Sequence, residues 1–171
     1  REKSKISRPT ASTLLGFSFY KTKGQWRIRI ADKSLKRMKE KLRTLLPRNK
    51  AQQVRTLMSG LGSVIRGWVQ YFQLGDLKSA CHGLDELLRS RIRKLFWQCW
   101  QKIKTRMRHL MKLGISKWQS YQWSNTSKGA NRTAHSPILT RSLSNKVLAK
   151  MGLVSFYQTY RNNVEIQQKL F

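Results

Sequence analysis

Hydrophobic and polar residues alternate with a period of two only near the start of the chain. Phe17 and Phe19 flank Ser18, and Trp26, Ile28 and Ile30 are separated by Arg27 and Arg29. This pattern predicts a β-hairpin over Leu14–Ile30, with "KTKG" as its turn and Gly24 free to take positive φ. A single hairpin is marginal in water, so it must lean on another element, such as a sheet outside this chain. Residues 1–12, basic and rich in Ser and Thr, read as a loop or tail.

From Asp32 the period changes to about 3.6. Leu35, Met38, Leu42 and Leu45 mark a first amphipathic helix, with Asp32 or Ser34 as its N-cap and Pro47 beyond its end. Val54, Leu57, Met58, Leu61, Ile65, Trp68 and Phe72 mark a second, which Gly75-Asp76 ends. Gly60, Gly62 and Gly67 lie inside it, each costing about 1 kcal/mol relative to Ala. Three such glycines point to close approach by another backbone, of protein or nucleic acid. A third, long helix is expected from about Leu84 to Met111, its apolar face formed by Leu88, Ile92, Leu95, Cys99, Ile103 and Leu110. Asp85 favours its N-terminus through the helix dipole, and Gly114 ends it. The three helices can bury their stripes against one another as a small bundle.

Beyond Gly114, residues 115–123 form a short aromatic-rich helix, and Ser124–Pro137 reads as a polar loop. Leu139, Leu143, Val147 and Leu148 predict another short helix stopped near Gly152, and Leu153–Asn163 a last one. The fold class is therefore mainly α: an N-terminal β-hairpin, a three-helix bundle and a small helical C-terminal region.

Charge changes the picture most. The 171 residues hold 36 Lys or Arg and 7 Asp or Glu, a net charge of +29. Self-repulsion on this scale opposes compaction, and a polyanion relieves it. Nucleic acid is the first candidate and an anionic membrane surface the second. No apolar run approaches the roughly 18 residues of a membrane span, and no signal peptide is visible. The chain begins with Arg1 rather than Met, as a piece of a longer protein would.

Placed on a helical wheel, Trp97 points away from the Leu88–Ile92–Leu110 stripe, among Arg93, Lys94, Gln101, Lys104 and Arg108. Two readings stand. Trp97 is a platform on which an unpaired base stacks, or it is a seat for the following segment, with Arg stems lying over it.

The residues form no visible reaction centre. Two-metal phosphoryl transfer needs clustered carboxylates, and of the seven acids only Asp85 and Glu86 are adjacent. Cys81 and Cys99 form no paired-cysteine motif with His82, His109 or His135 and read as reduced thiols.

In chain order, "LLGFSF", "RGWVQYF", "LDELLRSRIRKLFWQCWQKIKTRMRHLMKLGI", "SKGANRTAHSP" and "GLVSFYQTY" resemble group II intron-encoded reverse transcriptase/maturases. The similarity runs from about Leu14 to Arg161. The resemblance implies that residues 1–32 end a reverse-transcriptase palm. Residues 33–112 would be the thumb, or maturase X domain, and residues 113–171 a DNA-binding region with a C-terminal tail. The family's polymerase carboxylates and their Mg²⁺ would lie upstream, in a palm that this chain lacks, so the chain alone is expected not to be an enzyme and needs no cofactor of its own. Its parent would be an RNA-directed DNA polymerase lacking the zinc-supported endonuclease.

The resemblance also implies partners: group II intron RNA, whose own Mg²⁺ carries the splicing chemistry, an RNA/DNA template–primer, target DNA and the upstream reverse-transcriptase domain, but no membrane. It implies RNA-facing positions at Lys33, Lys36, Arg37 and Lys39 on the first helix and at Arg66 beside the "GW..YF" of Gly67–Phe72. On the third helix they are Arg89, Arg91, Arg93, Lys94, Trp97, Lys104 and Arg108. Lys128 and Arg132 would face DNA. The chain departs from the family where Ala130 and Asn131 replace post-thumb aromatics, and where Trp118, Tyr121 and Trp123 replace smaller residues. The expected location is the cytoplasm of a bacterium or an organelle. The alternative is a general structural RNA-binding protein without intron specificity. A third reading is a basic protein of the membrane surface.

Overall fold

The computed structural model describes residues 7–46 and 54–170. The first six residues of the basic tail and Pro47 lie outside them. The fold is mainly helical, behind an N-terminal antiparallel sheet in the order β1 (Thr13–Leu14), β2 (Phe17–Thr22), β3 (Gln25–Ile30). The β2–β3 turn is Lys23-Gly24, with φ of 48° and 79°. Two successive positive φ values give the mirror-image turn whose twist matches the strands, and Gly24 meets that demand without strain. Register pairs Phe17 with Ile30, Phe19 with Ile28 and Lys21 with Trp26. The hairpin is thus present, and β1 extends it by a third strand. Two residues are too few to show an alternation, so the sequence pattern misses β1.

Within this chain the hairpin leans on helix. It meets the end of α2 (Val54–Phe72) and the turn after it. The Phe17 ring packs edge-on to Phe72 at 5.1 Å. The Asp76 N–H donates to the Ile28 carbonyl at 2.9 Å, and the Tyr20 hydroxyl donates to the Asp76 carboxylate. That hydrogen bond, helped by desolvation and the carboxylate's charge, raises the Tyr20 pKa. Arg27 stands 3.8 Å from Asp76, both half-exposed, and contributes little.

Helices α1 (Asp32–Leu45), α2 and α3 (Lys78–Cys99) correspond to the three predicted amphipathic helices. Met38 and Leu42 of α1, and Ile65, Val69 and Phe72 of α2, are buried as their spacing requires. A Cβ added at Gly60 or Gly67 would meet nothing within 4 Å, so among the described residues no backbone lies against that side of either glycine. The chain divides into two compact units, one of residues 1–42, 63–85 and 155–171, the other of residues 43–62 and 86–154. The first has Met38, Leu42, Ile65, Leu77, Leu84 and Phe156 in its core. The second has Leu61, Leu88, Ile92, Trp97, Leu110 and Leu139.

The third helix differs from its prediction at both ends. It begins at Lys78, and it stops at Cys99; a separate α4 follows over Ile103–Lys112. Lys102 is extended, with φ −87° and ψ 143°. The Trp100 carbonyl accepts from Arg106 Nε at 2.8 Å. A break this short, with neither Gly nor Pro in it, leaves no mark in the periodicity. Gly114 does end α4. It has φ +86°, and the Gly114 and Ile115 N–H groups donate to the Met111 and Leu110 carbonyls, closing a Schellman cap.

Asp85 does not serve the N-terminus of its own helix, which lies nearly two turns away. It is buried inside α3 and accepts from the Ser155 hydroxyl (2.6 Å), the Phe156 N–H (2.9 Å) and the Tyr157 N–H (3.1 Å). It therefore caps α9 (Phe156–Leu170), far away in sequence. Asp85→Ala would orphan these donors and should cost roughly 2–4 kcal/mol, since each is a charge-assisted bond. Asp85→Asn should retain part of it. A urea midpoint unchanged by Asp85→Ala would show that the cap contributes nothing.

The C-terminal region is more helical than predicted. After α5 (Lys117–Ser124), the stretch read as a loop contains α6 (Ala130–His135) and the start of α7 (Pro137–Ser142). Ser and Thr side chains of the region donate to nearby backbone carbonyls: Thr133 Oγ1 to Lys128 O, Ser136 Oγ to Thr133 O, Ser142 Oγ to Ile138 O. Burial of Ala134, Ile138 and Leu139 then holds helices that local preference would not. The single helix expected through Leu139–Leu148 is two, α7 and α8 (Asn145–Lys150), with Ser144 capping the second. The predicted Leu153–Asn163 helix is α9, which starts at Phe156.

Candidate nucleic-acid interface

From Leu87 to Val154 the sequence contains fifteen Lys or Arg and no Asp or Glu. An ordinary solvated surface mixes both signs. Within this unit, the polar side of α3 is covered by the segment that follows α5. Arg93 Nε donates to the Leu143 carbonyl at 3.0 Å, and its Nη2 to Asn145 Oδ1 at 3.1 Å. Lys94 Nζ reaches Asn131 Oδ1 at 3.3 Å, and Ser90 Oγ lies 2.8 Å from His135 Nε2. Burial, then the neighbouring Arg89, lowers the Arg93 pKa.

Trp97 belongs to this covered side. It is 2% exposed, with the Arg106 guanidinium 4.5 Å from its ring centroid and Trp100 edge-on at 6.2 Å. No base can reach that ring, so Trp97 is corrected from stacking platform to buried seat. The wheel placed it opposite the Leu88 stripe, but could not show that α3 is buried on both sides. Arg93 and Lys94 are likewise engaged in internal hydrogen bonds.

The remaining predicted positions fall into two sets. Within the first unit, Lys33, Lys36 and Arg37 are exposed on α1 and Arg66 on α2, while Lys39 is half-buried. Arg37 also lines a cleft with Lys41, Leu15, Trp68 and Tyr71. Within the second unit, Arg89 and Arg91 are half-buried, and Lys104 and Arg108 are exposed on α4. Lys94 and Arg132 come together in an open groove with Gln98, Gly129, Asn131 and His135. Lys128 is exposed outside its lining. A groove with a Lys and an Arg and no acid has the chemistry to hold a phosphate.

Two features were not singled out as candidate sites from sequence. His109 stacks on Trp100 at 4.9 Å and 6° between planes. Burial, then the neighbouring Arg108 and Lys112, lowers its pKa below the ordinary histidine value. Trp118 and Tyr121 are 74% and 62% exposed on α5. Among the described residues, no helix is long and apolar enough to cross a membrane.

Residues 35–114 match the family model of the group II intron maturase-specific domain. No curated protein matches the chain.

Proposed function

We propose that the chain binds intron RNA to assist splicing and grips the template–primer during reverse transcription, a reading supported by the match of residues 35–114 to the group II intron maturase-specific domain. In this reading residues 33–112 are the thumb, residues 1–32 the end of a palm whose carboxylates and Mg²⁺ lie in an upstream reverse-transcriptase domain, and residues 113–171 a DNA-binding region. The chain contributes grip rather than chemistry. The observation that carries the proposal is the acid-free stretch from Leu87 to Val154, which follows and overlaps the matched domain. A cationic surface on an apolar frame is what a folded polyanion requires: phosphates neutralise the repulsion that the isolated chain must bear. The exposed cations of α1, α2 and α4 are the proposed RNA contacts, and Lys128 and Arg132 the proposed DNA contacts. The cell compartment would be the bacterial cytoplasm or an organelle.

The deciding experiment is filter binding of this chain to a group II intron RNA and to an unrelated RNA of equal length, at matched salt. A preference of about tenfold or more, about 1.4 kcal/mol, is expected if the chain carries recognition. Equal binding of both RNAs would sink intron specificity and leave the general RNA-binding reading in its place.

A further inference from the structure

Helix α5 turns two of its three aromatics outward and keeps only Trp123 half-buried. Its buried positions are Ser120 and Ser124, while Trp118 and Tyr121 face solvent. A helix selected only to pack would place its large aromatics against the core, where each removes far more apolar area from water than a serine does. The serines fit the inner face because their hydroxyls find backbone partners there, Ser120 Oγ at the Ile115 carbonyl (3.3 Å) and Ser124 Oγ at the Tyr121 carbonyl (2.9 Å). Trp118 and Tyr121 are three residues apart, and Lys117 and Tyr121 four, so all three lie on one side of the helix. Gln122 adjoins Trp118 on the same side, and all four are exposed. Neither aromatic ring has a ring or cation partner among the described residues. The N-terminus of the helix is capped by Ser116 Oγ, which accepts from the Gln119 N–H, and at its C-terminus the Asn125 side-chain amide donates to the Tyr121 carbonyl at 2.8 Å. The rings therefore stand on a helix with a hydrogen-bonded cap at each end.

We propose that this outer face of α5 is a stacking site for unpaired RNA bases, with Trp118 and Tyr121 as the platforms and Lys117 on the adjoining phosphate. The proposal rests on the RNA-binding reading and adds to it the kind of RNA element recognised, a single-stranded loop or end rather than a helix. Charge selects the occupant. The face sits in a unit whose chain from Leu87 to Val154 has no acid to repel a polyanion. Splayed bases present flat π-faces on which an exposed ring can stack, whereas bases inside a duplex present only edges. An anionic membrane would need a broader apolar face than two rings on a helix of eight residues.

The test uses this chain with Trp118→Ala/Tyr121→Ala and Trp118→Phe/Tyr121→Phe. The probes are a labelled single-stranded oligoadenylate RNA, the same strand paired with oligouridylate, the DNA counterpart, and anionic vesicles. Both residues are exposed, so the variants should fold as the parent does. The alanine variant should lose roughly tenfold or more of its affinity for the single strand and little for the duplex, with an unchanged salt slope, and the phenylalanine variant should recover most of it. An unchanged single-strand affinity, an equal loss on the duplex, no rescue by phenylalanine, or a loss confined to DNA or to vesicles would each overturn the proposal. If the parent chain binds intron RNA while the alanine variant matches it on every probe, the stacking site fails and the proposed function stands. If the parent binds no RNA, both fail.

Discussion

Raising the salt from about 50 to about 200 mM should weaken RNA binding by roughly 10³–10⁵-fold. The size follows from how many cations can reach phosphates at once. Of the eleven Lys or Arg that the sequence offers as RNA contacts, six are exposed: Lys33, Lys36, Arg37, Arg66, Lys104 and Arg108. Six lies within the roughly 6–10 contacts for which counterion release gives that range. Arg93 and Lys94 are held by Asn145 and Asn131 and should add little to the slope. Replacing Lys104 and Arg108 together by alanine should lower the slope by about two contacts, whereas replacing Arg93 should chiefly cost stability. Titration of a fixed RNA across the salt range checks this, and a nearly flat response would rule out the electrostatic account.

Features governed by local chemistry were legible in the sequence. The Lys23-Gly24 turn, the helices carrying Met38, Leu42, Ile65 and Leu88, and the stop at Gly114 were each written in a few neighbouring residues, because period and turn residues are short-range signals. The charge imbalance was equally plain. What escaped the sequence depended on partners distant in the chain. Asp85 looked like a helix-dipole residue because its true partners, Ser155 to Tyr157, are some seventy positions away. The Ser124–Pro137 stretch looked like loop because Ser, Thr, Asn and Gly usually compete with helix, and only the burial of Ala134 and Ile138 overrides that preference. The break between α3 and α4 is held by Arg106 folding back on Trp100, a contact that no composition signal marks.

Trp97 gives the sharpest contrast between the two readings of one residue, and Trp97→Ala should destabilise the protein by about 3–5 kcal/mol. The ring is 2% exposed, so its removal leaves a cavity as well as losing the transfer of a large aromatic from water. It also strips Arg106 of the π-face beneath its guanidinium at 4.5 Å. Arg106 in turn holds the Trp100 carbonyl at the helix break, so the damage should spread to the α3–α4 junction. Trp97→Phe should cost less, since a smaller ring keeps part of the packing and a face for the cation. Under conditions where the alanine variant remains folded, its RNA affinity should stay within a few-fold of the parent, because a base never reaches position 97. A platform would behave in the opposite way, with the urea midpoint unmoved and single-strand affinity lost. Measuring midpoint and affinity on the same variant therefore separates seat from platform. The aromatic in the opposite situation is Trp118, 74% exposed, for which affinity should move and the midpoint should not.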